Sequence, residues 1–195
     1  VISPSLPVSS VKELIALYKA NPGKYSYGSG GNGSSAHLSA ELFKSITGGQ
    51  ATHVPYQGIG GAYPVLMSGK IQLAFSSIAG ALPFTSDNKV RPIATTGLKR
   101  PAAFAGLPTI DETLMPGFNV DIWMSLAGPA GVPAAIGAKL NAALGQALKD
   151  PEMRAGLDKV GADAFPSSVK KANYFLSEKA KRWPPVGESA GLCNQ

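Results

Sequence analysis

The fold is decided by residues 27–46, YGSGGNGSSAHLSAELFKSI, in which a loop rich in glycine and serine is followed by a helical pattern. Residues 25–27 are predicted to form a short strand that enters this loop. Beyond the loop, Leu38, Leu42 and Ile46 recur at the spacing of one helix face, and we expect them to mark the buried side of the helix. The predicted order is strand, loop, helix.

Helices and strands alternate on both sides of this stretch. The first helix is predicted to begin at Ser10, because Ser10 and Glu13 have the spacing of a capping box, and to end at the Asn21-Pro22-Gly23 sequence. After the loop, the pattern predicts strands over residues 52–56, 71–75 and 90–95, a short helix over 62–67, and a turn around 86–88. This alternation indicates an α/β sheet.

The sequence changes in character after residue 97. We expect a loop over residues 99–108, a short helix over 109–114, and a strand over 118–127 that leads into GPAGVP, a place typical of a domain crossing. Two helices then reach residues 149 and 160, the first carrying an apolar stripe of Ile136, Leu140, Leu144 and Leu148. The last predicted helix covers residues 167–183 and ends at Pro184.

Composition narrows the function classes. A chain of 195 residues with 44% hydrophobic content can bury a core and form one or two domains. Its net charge of +6 comes from scattered Lys and Arg without interleaved aromatic residues, which argues against a nucleic-acid interface and suits small anions. The single cysteine, Cys193, excludes an internal disulfide and a Cys-based zinc site, and we expect it to be inert. No apolar run reaches about 18 residues, so no membrane span is predicted.

The glycine loop resembles two nucleotide-binding motifs but has the context of neither. Gly28, Gly30 and Gly33 match the dinucleotide fingerprint, yet the second predicted strand ends in VPYQ without the acidic residue that such a site requires. No Gly-Lys-Ser/Thr follows, which excludes a P-loop. Glycine backbone, unpaired helix amides and the Ser34 and Ser35 hydroxyls together predict a site for an anion such as a carboxylate.

A simpler interpretation is a tight turn with one serine as an ordinary N-cap. The number of glycines and serines exceeds what a cap needs, so a ligand is the better explanation. Catalysis has less support, because neither His37 nor His53 lies in a catalytic motif and Asp111 and Glu112 are adjacent and face apart. Each histidine is expected to be structural; orienting the loop or meeting the ligand is the alternative for His37, and His53 is expected to be a strand residue with a satisfied ring. We expect no catalytic residue, metal or cofactor.

Several segments in order along the chain resemble the Bug family, the extracytoplasmic solute-binding receptors of tripartite tricarboxylate transporters. They are SVKELIALYKANPGKYSYGSGGNGSSAHLSAELFKSITG, HVPYQG, LMSGKIQLAF, KVRPIATTGLKR, LPTIDET and LAGPAGVP. The resemblance implies a periplasmic-binding-protein architecture of the Venus-flytrap, type II-like kind. In it, two α/β lobes hold a small organic acid between them.

The resemblance also implies the residues of the binding site. In the anion loop they are Ser29, Gly30, Asn32, Gly33, Ser34, Ser35 and His37, and elsewhere in the cleft they are Tyr56, Gln57, Gly58, Ser76 and Ser77. Relatives often carry Asp-Thr where this chain has Ser76 and Ser77. The departure puts a contact to a ligand amine in doubt and favours a ligand without an ammonium group.

By the same mapping, residues 4–125 form the second lobe, and residues 126–195 form a crossover and helices that pack on the first lobe. A whole family member has about 100 further residues before Val1, the size of a lobe. The chain's opening looks like a start inside a larger protein, without a signal peptide. The expected location is the periplasm and the expected partners are an organic acid and membrane permease subunits, with self-association where the first lobe is absent. The alternative is an α/β enzyme or sensor acting on an anionic metabolite.

Overall fold

The computed structural model describes residues 1–192, so Cys193 lies outside the described residues. Strands and helices alternate through the first half of the chain, which confirms the predicted α/β class. The elements are α1 (Val11–Ala20), β1 (Ser26–Ser29), α2 (Ser35–Thr47), β2 (Thr52–Pro55), α3 (Ala62–Met67), β3 (Leu73–Ala74), α4 (Ile78–Thr85), α5 (Ile110–Thr113), α6 (Ala134–Ala147), α7 (Pro151–Lys159), α8 (Val169–Arg182) and α9 (Pro184–Ser189).

The sheet has three parallel strands in the order β2-β1-β3. The central strand, β1, places Tyr27 opposite His53 of β2 on one side and opposite Leu73 of β3 on the other. Ile2 adds isolated antiparallel bridges to Leu73 and to Arg91. Since all three strands run the same way, their carboxyl ends meet at one edge of the sheet.

The core is divided between the two faces of this sheet. The larger cluster includes Leu14 and Tyr18 of α1, Tyr27 of β1 and Phe43 of α2. The smaller cluster includes Leu66 of α3, together with Ile71, Ala74 and Val90. Gly28 allows α3 to approach the sheet, because a Cβ atom at Gly28 would lie 2.6 Å from Cδ1 of Ile71 and 2.9 Å from Cβ of Ala62.

The predicted buried side of α2 is wrong. Ile46 is 51% exposed and Leu38 and Leu42 are only half-buried. The buried residues of α2 are Ala36, His37, Ser39, Ala40, Phe43 and Thr47. Small side chains let the helix lie close to the sheet, so Ala36 and Ala40 occupy the contact that the larger leucines were expected to fill.

Two predicted strands are absent from the described residues. Residues 90–95 make only isolated bridges at Arg91 and Thr95, because Pro92 has no N–H to donate to a ladder. Residues 118–127 are in no strand within the described chain. Val120 is held by Thr96, whose carbonyl accepts the Val120 N–H and whose hydroxyl donates to the Val120 carbonyl, and residues 121–130 are all exposed.

Details at the helix ends also differ from expectation. Ser10 caps α1 as predicted by accepting the Glu13 N–H, but the Glu13 carboxylate accepts the Ser9 N–H instead of closing the capping box on Ser10. The helix expected over residues 167–183 is not the last of the described chain. It stops at Arg182, and Pro184 begins α9, because proline is tolerated at the first helical position.

The last helices are largely exposed, although α6 contacts α8 and the Phe175 ring of α8 meets Trp123 edge-on with centroids 5.5 Å apart. No residue of α6, α7 or α8 is buried, and Leu140 in the predicted apolar stripe is 49% exposed. Trp183 packs against the larger core cluster, α9 lies against α2, and Gly161 approaches Ile78 so closely that it has no room for a side chain. Among residues 1–192, no helix is long and apolar enough to cross a bilayer.

Gly28→Ala should destabilise the protein by about 1–3 kcal/mol, because the added methyl group overlaps Ile71 and Ala62 in a packed core. Gly106→Ala is the matched control, since no atom lies within 4 Å of a Cβ there, and its effect should stay within about 0.5 kcal/mol. Urea unfolding measures both. Equal effects would show that α3 does not pack tightly on β1.

The exposed stripe on α6 should make the 195-residue chain self-associate at high concentration, because exposed apolar area gains free energy when two copies cover it. Leu140→Lys should weaken the association, whereas Leu98→Lys, at a residue 53% exposed and outside the stripe, should leave it unchanged. Sedimentation velocity over a concentration series measures this. A wild-type chain that stays monomeric throughout would contradict the prediction.

Candidate functional site

The predicted site residues lie after or beside the carboxyl ends of the three strands. The glycine loop leaves β1, residues 56–58 leave β2, and Ser76 and Ser77 follow β3 by two and three residues. Because the strands are parallel, the structure brings these segments to one edge of the sheet. That edge is where open α/β sheets bind ligands.

The loop after β1 is fixed mainly by hydrogen bonds that point inward. The Ser29 hydroxyl is fully buried, accepts the Gly31 N–H and donates to the Gly31 carbonyl, both at 3.1 Å. The Gly33 N–H donates to Nδ1 of His37 at 3.1 Å. Ser34 caps α2 by accepting the His37 N–H at 3.3 Å. Ser29 and the Gly33 amide, both predicted to face a ligand, thus support the loop from inside.

The outward groups of this loop are at the start of α2. Ser35 and Asn32 are exposed, and the first helix amides, beginning with Ser35, have no partner within the helix. The Ser34 hydroxyl accepts one bond and keeps its hydrogen to donate. Hydroxyls and helix amides are therefore donors that this loop presents, whereas the Gly31 and Gly33 amides are used within the loop.

The loop after β2 touches the loop after β1. The Tyr56 N–H donates to the Ser29 carbonyl at 3.1 Å, and the Gly58 N–H donates to the Gly30 carbonyl at 3.3 Å. A Cβ atom at Gly30 would lie 3.1 Å from the Ile59 nitrogen, and Gly58 has φ +87°. Glycine is required at both positions, at one by close approach and at the other by conformation.

The two serines after β3 are held by neighbouring helices. The Ser76 hydroxyl is hydrogen-bonded to the Tyr63 hydroxyl of α3, and Ser77 caps α4 by accepting the Gly80 N–H at 3.1 Å. A Cβ atom at Gly80 would lie 3.0 Å from Oη of Tyr63 and 3.1 Å from both serine hydroxyl oxygens. With Ser34 on α2, two serine-capped helix N-termini lie at the same sheet edge, and both favour negative charge.

A polar cluster lies beneath the loop. The rings of His37 and His53 stack with centroids 3.8 Å apart, and Tyr27 stacks on His53 at 5.0 Å. The Tyr27 hydroxyl donates to Glu41, whose carboxylate is 2.7 Å from Nζ of Lys44. Nε2 of His53 lies 2.6 Å from the Ser29 hydroxyl oxygen, which confirms the prediction of a satisfied ring. His37 is only 4% exposed and contacts the loop instead of the open edge.

Burial keeps this cluster in defined protonation states. Burial, with the charge of neighbouring His37 added, lowers the pKa of His53 from 6.5 to about 4. Burial also lowers the pKa of His37, with Lys44 adding to the effect and Glu41 opposing it. Burial and the Glu41 hydrogen bond raise the pKa of Tyr27. For Glu41, burial opposes ionisation, but hydrogen bonds from Lys44 and Tyr27 prevail and lower its pKa.

The edge itself carries no charged side chain. Residues 29–35, 56–58 and 76–77 contain only glycine, serine, asparagine, glutamine and tyrosine. Within residues 1–192, no three His, Cys, Asp or Glu side chains gather in a way that could hold a metal ion. The site therefore offers hydroxyls, amides and two helix N-termini to a ligand.

The sequence pattern of the tripartite tricarboxylate transporter family receptors (TctC) matches residues 1–192. The chain belongs to this family. The match confirms the resemblance found in the motifs.

Individual relatives agree with the family assignment. A Cupriavidus necator protein, the UPF0065 protein in the gbd 5' region, is 31% identical over 193 residues, which are 99% of this chain and 58% of that relative. The structure of R. palustris Rpa4515 with adipate is 32% identical, with a TM-score of 0.89, and the match covers 97% of this chain and 64% of that one. The periplasmic binding protein BugD is 26% identical, with a TM-score of 0.85 over 98% of this chain and 64% of that one.

The structural matches confirm the periplasmic-binding-protein architecture. The chain spans about three fifths of the length of the relatives that it matches.

Sequence reasoning missed the supporting residues of the site. Tyr63 and Gly80 hold the two serines, and Tyr27, Glu41 and Lys44 surround the stacked imidazoles. One signal was available: His53 is a titratable residue within a predicted strand. Its partner could not be identified, because the register that sets Tyr27 beside His53 is a property of the folded sheet.

The free energy of unfolding should decrease as the pH is lowered from 6.5 towards 4. His53 has a folded pKa of about 4 against an ordinary value of 6.5, so the unfolded chain binds more protons in this interval. The stabilisation is complete above pH 6.5 and is lost as the pH falls towards 4. Urea unfolding at several pH values measures the slope.

His53→Gln is the control for this slope, because glutamine places an amide near the Nε2 position and does not titrate. His37 and the carboxylates titrate in both proteins, so the difference between the slopes reports His53 together with its electrostatic coupling to His37 and Glu41. Identical slopes would contradict the assignment.

Proposed function

We propose that this chain is part of a periplasmic receptor that binds a small organic acid by a carboxylate at the carboxyl edge of its sheet. The observation that carries the proposal is the convergence of three uncharged loops and two serine-capped helix N-termini at one edge. Such an edge supplies donors and positive helix ends to an anion without a salt bridge.

The strength expected of such a site follows from its donors. A hydrogen bond to a charged group contributes about 1.5–3 kcal/mol, so several amides and hydroxyls can hold a carboxylate and no single contact dominates. The Ser34 hydroxyl is a strong candidate, because its capping role fixes its oxygen while its hydrogen remains for the ligand. Ser35, Tyr56, Gln57, Ser76 and Ser77 complete the proposed set.

The chemistry of the edge also limits the ligand class. The solved relative Rpa4515 holds adipate, a dicarboxylate without an amine. Here Ser76 and Ser77 carry no acid that could pair with an ammonium group. We therefore infer an organic acid without an amino group as the ligand, with linear dicarboxylates the first to test.

The whole receptor is proposed to have two lobes and a transport partner. Residues 4–125 would form one lobe, and residues 126–195 would cross to the other, on which the exposed face of α6 would pack. Membrane permease subunits would accept the solute, as the family description implies. The family consists of receptors, which favours binding over the alternative of an enzyme or sensor.

A panel of mono-, di- and tricarboxylates tests the proposal. Each acid is added to the protein, the shift in melting temperature is recorded, and mass spectrometry follows the acid for chemical change. Stabilisation without turnover supports the receptor, since a ligand that binds only the folded state raises its stability. Turnover of an acid would establish the enzyme instead, and an unchanged melting temperature throughout would refute carboxylate binding.

Ser34→Ala should weaken binding of the best acid by roughly tenfold to a hundredfold, because one charge-assisted hydrogen bond is lost. Ser10→Ala is the matched control: it removes an equivalent N-cap from α1, costs about 1 kcal/mol of stability, and should leave the Kd unchanged. Titration followed by NMR at ligand concentrations up to millimolar gives both values. A normal Kd for Ser34→Ala would remove this hydroxyl from the site.

A further inference from the structure

The two stacked imidazoles both form hydrogen bonds with the anion loop. His37 is bound to the loop at two points: its backbone N–H donates to the Ser34 hydroxyl and its Nδ1 accepts the Gly33 N–H. Gly33 has φ +70°, a conformation that glycine adopts without cost, and nothing lies within 4 Å of a Cβ built there. The Gly33 amide is therefore held inward by its bond to His37, beside the turn in which the Ser34 N–H donates to the Gly31 carbonyl at 3.2 Å.

His53 acts on the other end of the same loop. Its Nε2 lies 2.6 Å from the Ser29 hydroxyl oxygen, and that oxygen is bonded to both the N–H and the carbonyl of Gly31. The two rings are stacked at 3.8 Å with an interplanar angle of 14°. The loop is thus attached at Gly31 and at Gly33 to two rings that support each other.

We propose that His37 and His53 are positioning residues that hold the loop in its binding conformation, and that the loop keeps this conformation only while His37 is neutral. Holding the Gly33 amide inward turns the next residues so that the Ser34 hydroxyl and the Ser35 amide face the sheet edge. The affinity measurement described below rests on the proposed function. The role of the two histidines in the loop conformation rests on the geometry alone.

The protonation state of His37 decides whether its ring can accept the Gly33 N–H. A neutral His37 with its proton on Nε2 offers Nδ1 as an acceptor to Gly33. A protonated ring carries hydrogen on both nitrogens, so two N–H groups would face each other and the bond would be lost. A positive charge 3.8 Å from a second imidazole also disfavours protonation of His53.

The charged and titratable groups facing this pair come from three elements. Tyr27 of β1 lies beside both rings, with its hydroxyl bound to Glu41. Glu41 of α2 lies 4.0 Å from Nε2 of His37 and favours its protonation, whereas Lys44, bound to Glu41, opposes it. His53 comes from β2. Burial prevails over Glu41, so the pKa of His37 lies below 6.5 and the ring is neutral at neutral pH.

Two substitutions distinguish the effect of the His37 hydrogen bond from the effect of the space that its ring fills. His37→Asn places a carbonyl oxygen near the Nδ1 position and cannot titrate, whereas His37→Leu fills space without an acceptor. The first measurement is hydrogen exchange of the Gly33 amide in the protein without ligand. We expect protection to be kept in His37→Asn and to fall by about tenfold in His37→Leu, the effect of one hydrogen bond. Equal protection in both variants overturns the proposal.

Nitrogen NMR of the wild-type rings provides a second measurement that needs no variant. His37 should show an unprotonated Nδ1 and a protonated Nε2, and the Gly33 amide shift should follow the titration of this ring. A proton on Nδ1 at neutral pH overturns the proposal, even if His37→Leu fails to fold.

The affinity measurement uses adipate as the probe. As the pH falls below 6.5, the wild type should lose more affinity than His37→Asn, and the comparison at each pH cancels protonation of adipate itself. Parallel curves for the two proteins overturn the role of His37 neutrality. If the wild type binds neither adipate nor any other acid of the panel, the proposed function fails, while the Gly33 exchange and the ring nitrogens still decide whether the imidazoles position the loop.

Discussion

Parallel pairing of β1 with a strand on each side is the constraint on which the rest of the site depends. The central strand has no free edge, so its carboxyl end leaves the sheet between the ends of β2 and β3. The loops that follow β1, β2 and β3 therefore lie side by side, although they are far apart in the sequence. Gly28 lets α3 lie close to the sheet at this edge. A side chain at Gly28 would push α3 away and move the loops that flank it.

A second constraint comes from placing polar groups under a ligand loop. Burying His37 and Tyr27, and partly burying His53 and Glu41, is costly unless each polar group finds a partner. Here the partners are one another and the loop: Tyr27 donates to Glu41, Lys44 neutralises it, and the rings accept or contact groups of residues 29–33. The same bonds that satisfy the buried cluster thus define the shape of the loop above it.

Sequence patterns identified the outline of this arrangement more reliably than its details. The bounds of α3 and the N-cap at Ser10 follow from short-range rules, and both were predicted. The buried side of α2 was not, because burial there is decided by how closely a helix can lie on a sheet, which favours alanine over leucine. Pro92 is evident in the sequence. Whether it removes a hydrogen bond from the sheet depends on whether its backbone nitrogen faces a neighbouring strand, which the sequence does not show.

The candidate site likewise has features that the sequence predicts and features that only the fold determines. The glycine-serine loop was recognisable from composition, and its place after β1 put it at the right sheet edge. The direction of each hydrogen bond was not recognisable, so the buried Ser29 hydroxyl and the inward Gly33 amide were expected to face the ligand. Only the fold decides which of several equivalent donors point outward.

The lack of charged side chains in the three loops of the proposed binding edge has a kinetic meaning. Dipoles of hydroxyls and helix amides act over a few ångströms. A lysine or arginine would attract an anion across a Debye length of about 10 Å, and that attraction would weaken as the salt concentration rises. Encounter is therefore left to diffusion and to the scattered net charge of +6, while recognition occurs at contact. Under the proposed function, such an edge would distinguish acids by shape at contact, and salt would act mainly on the encounter step.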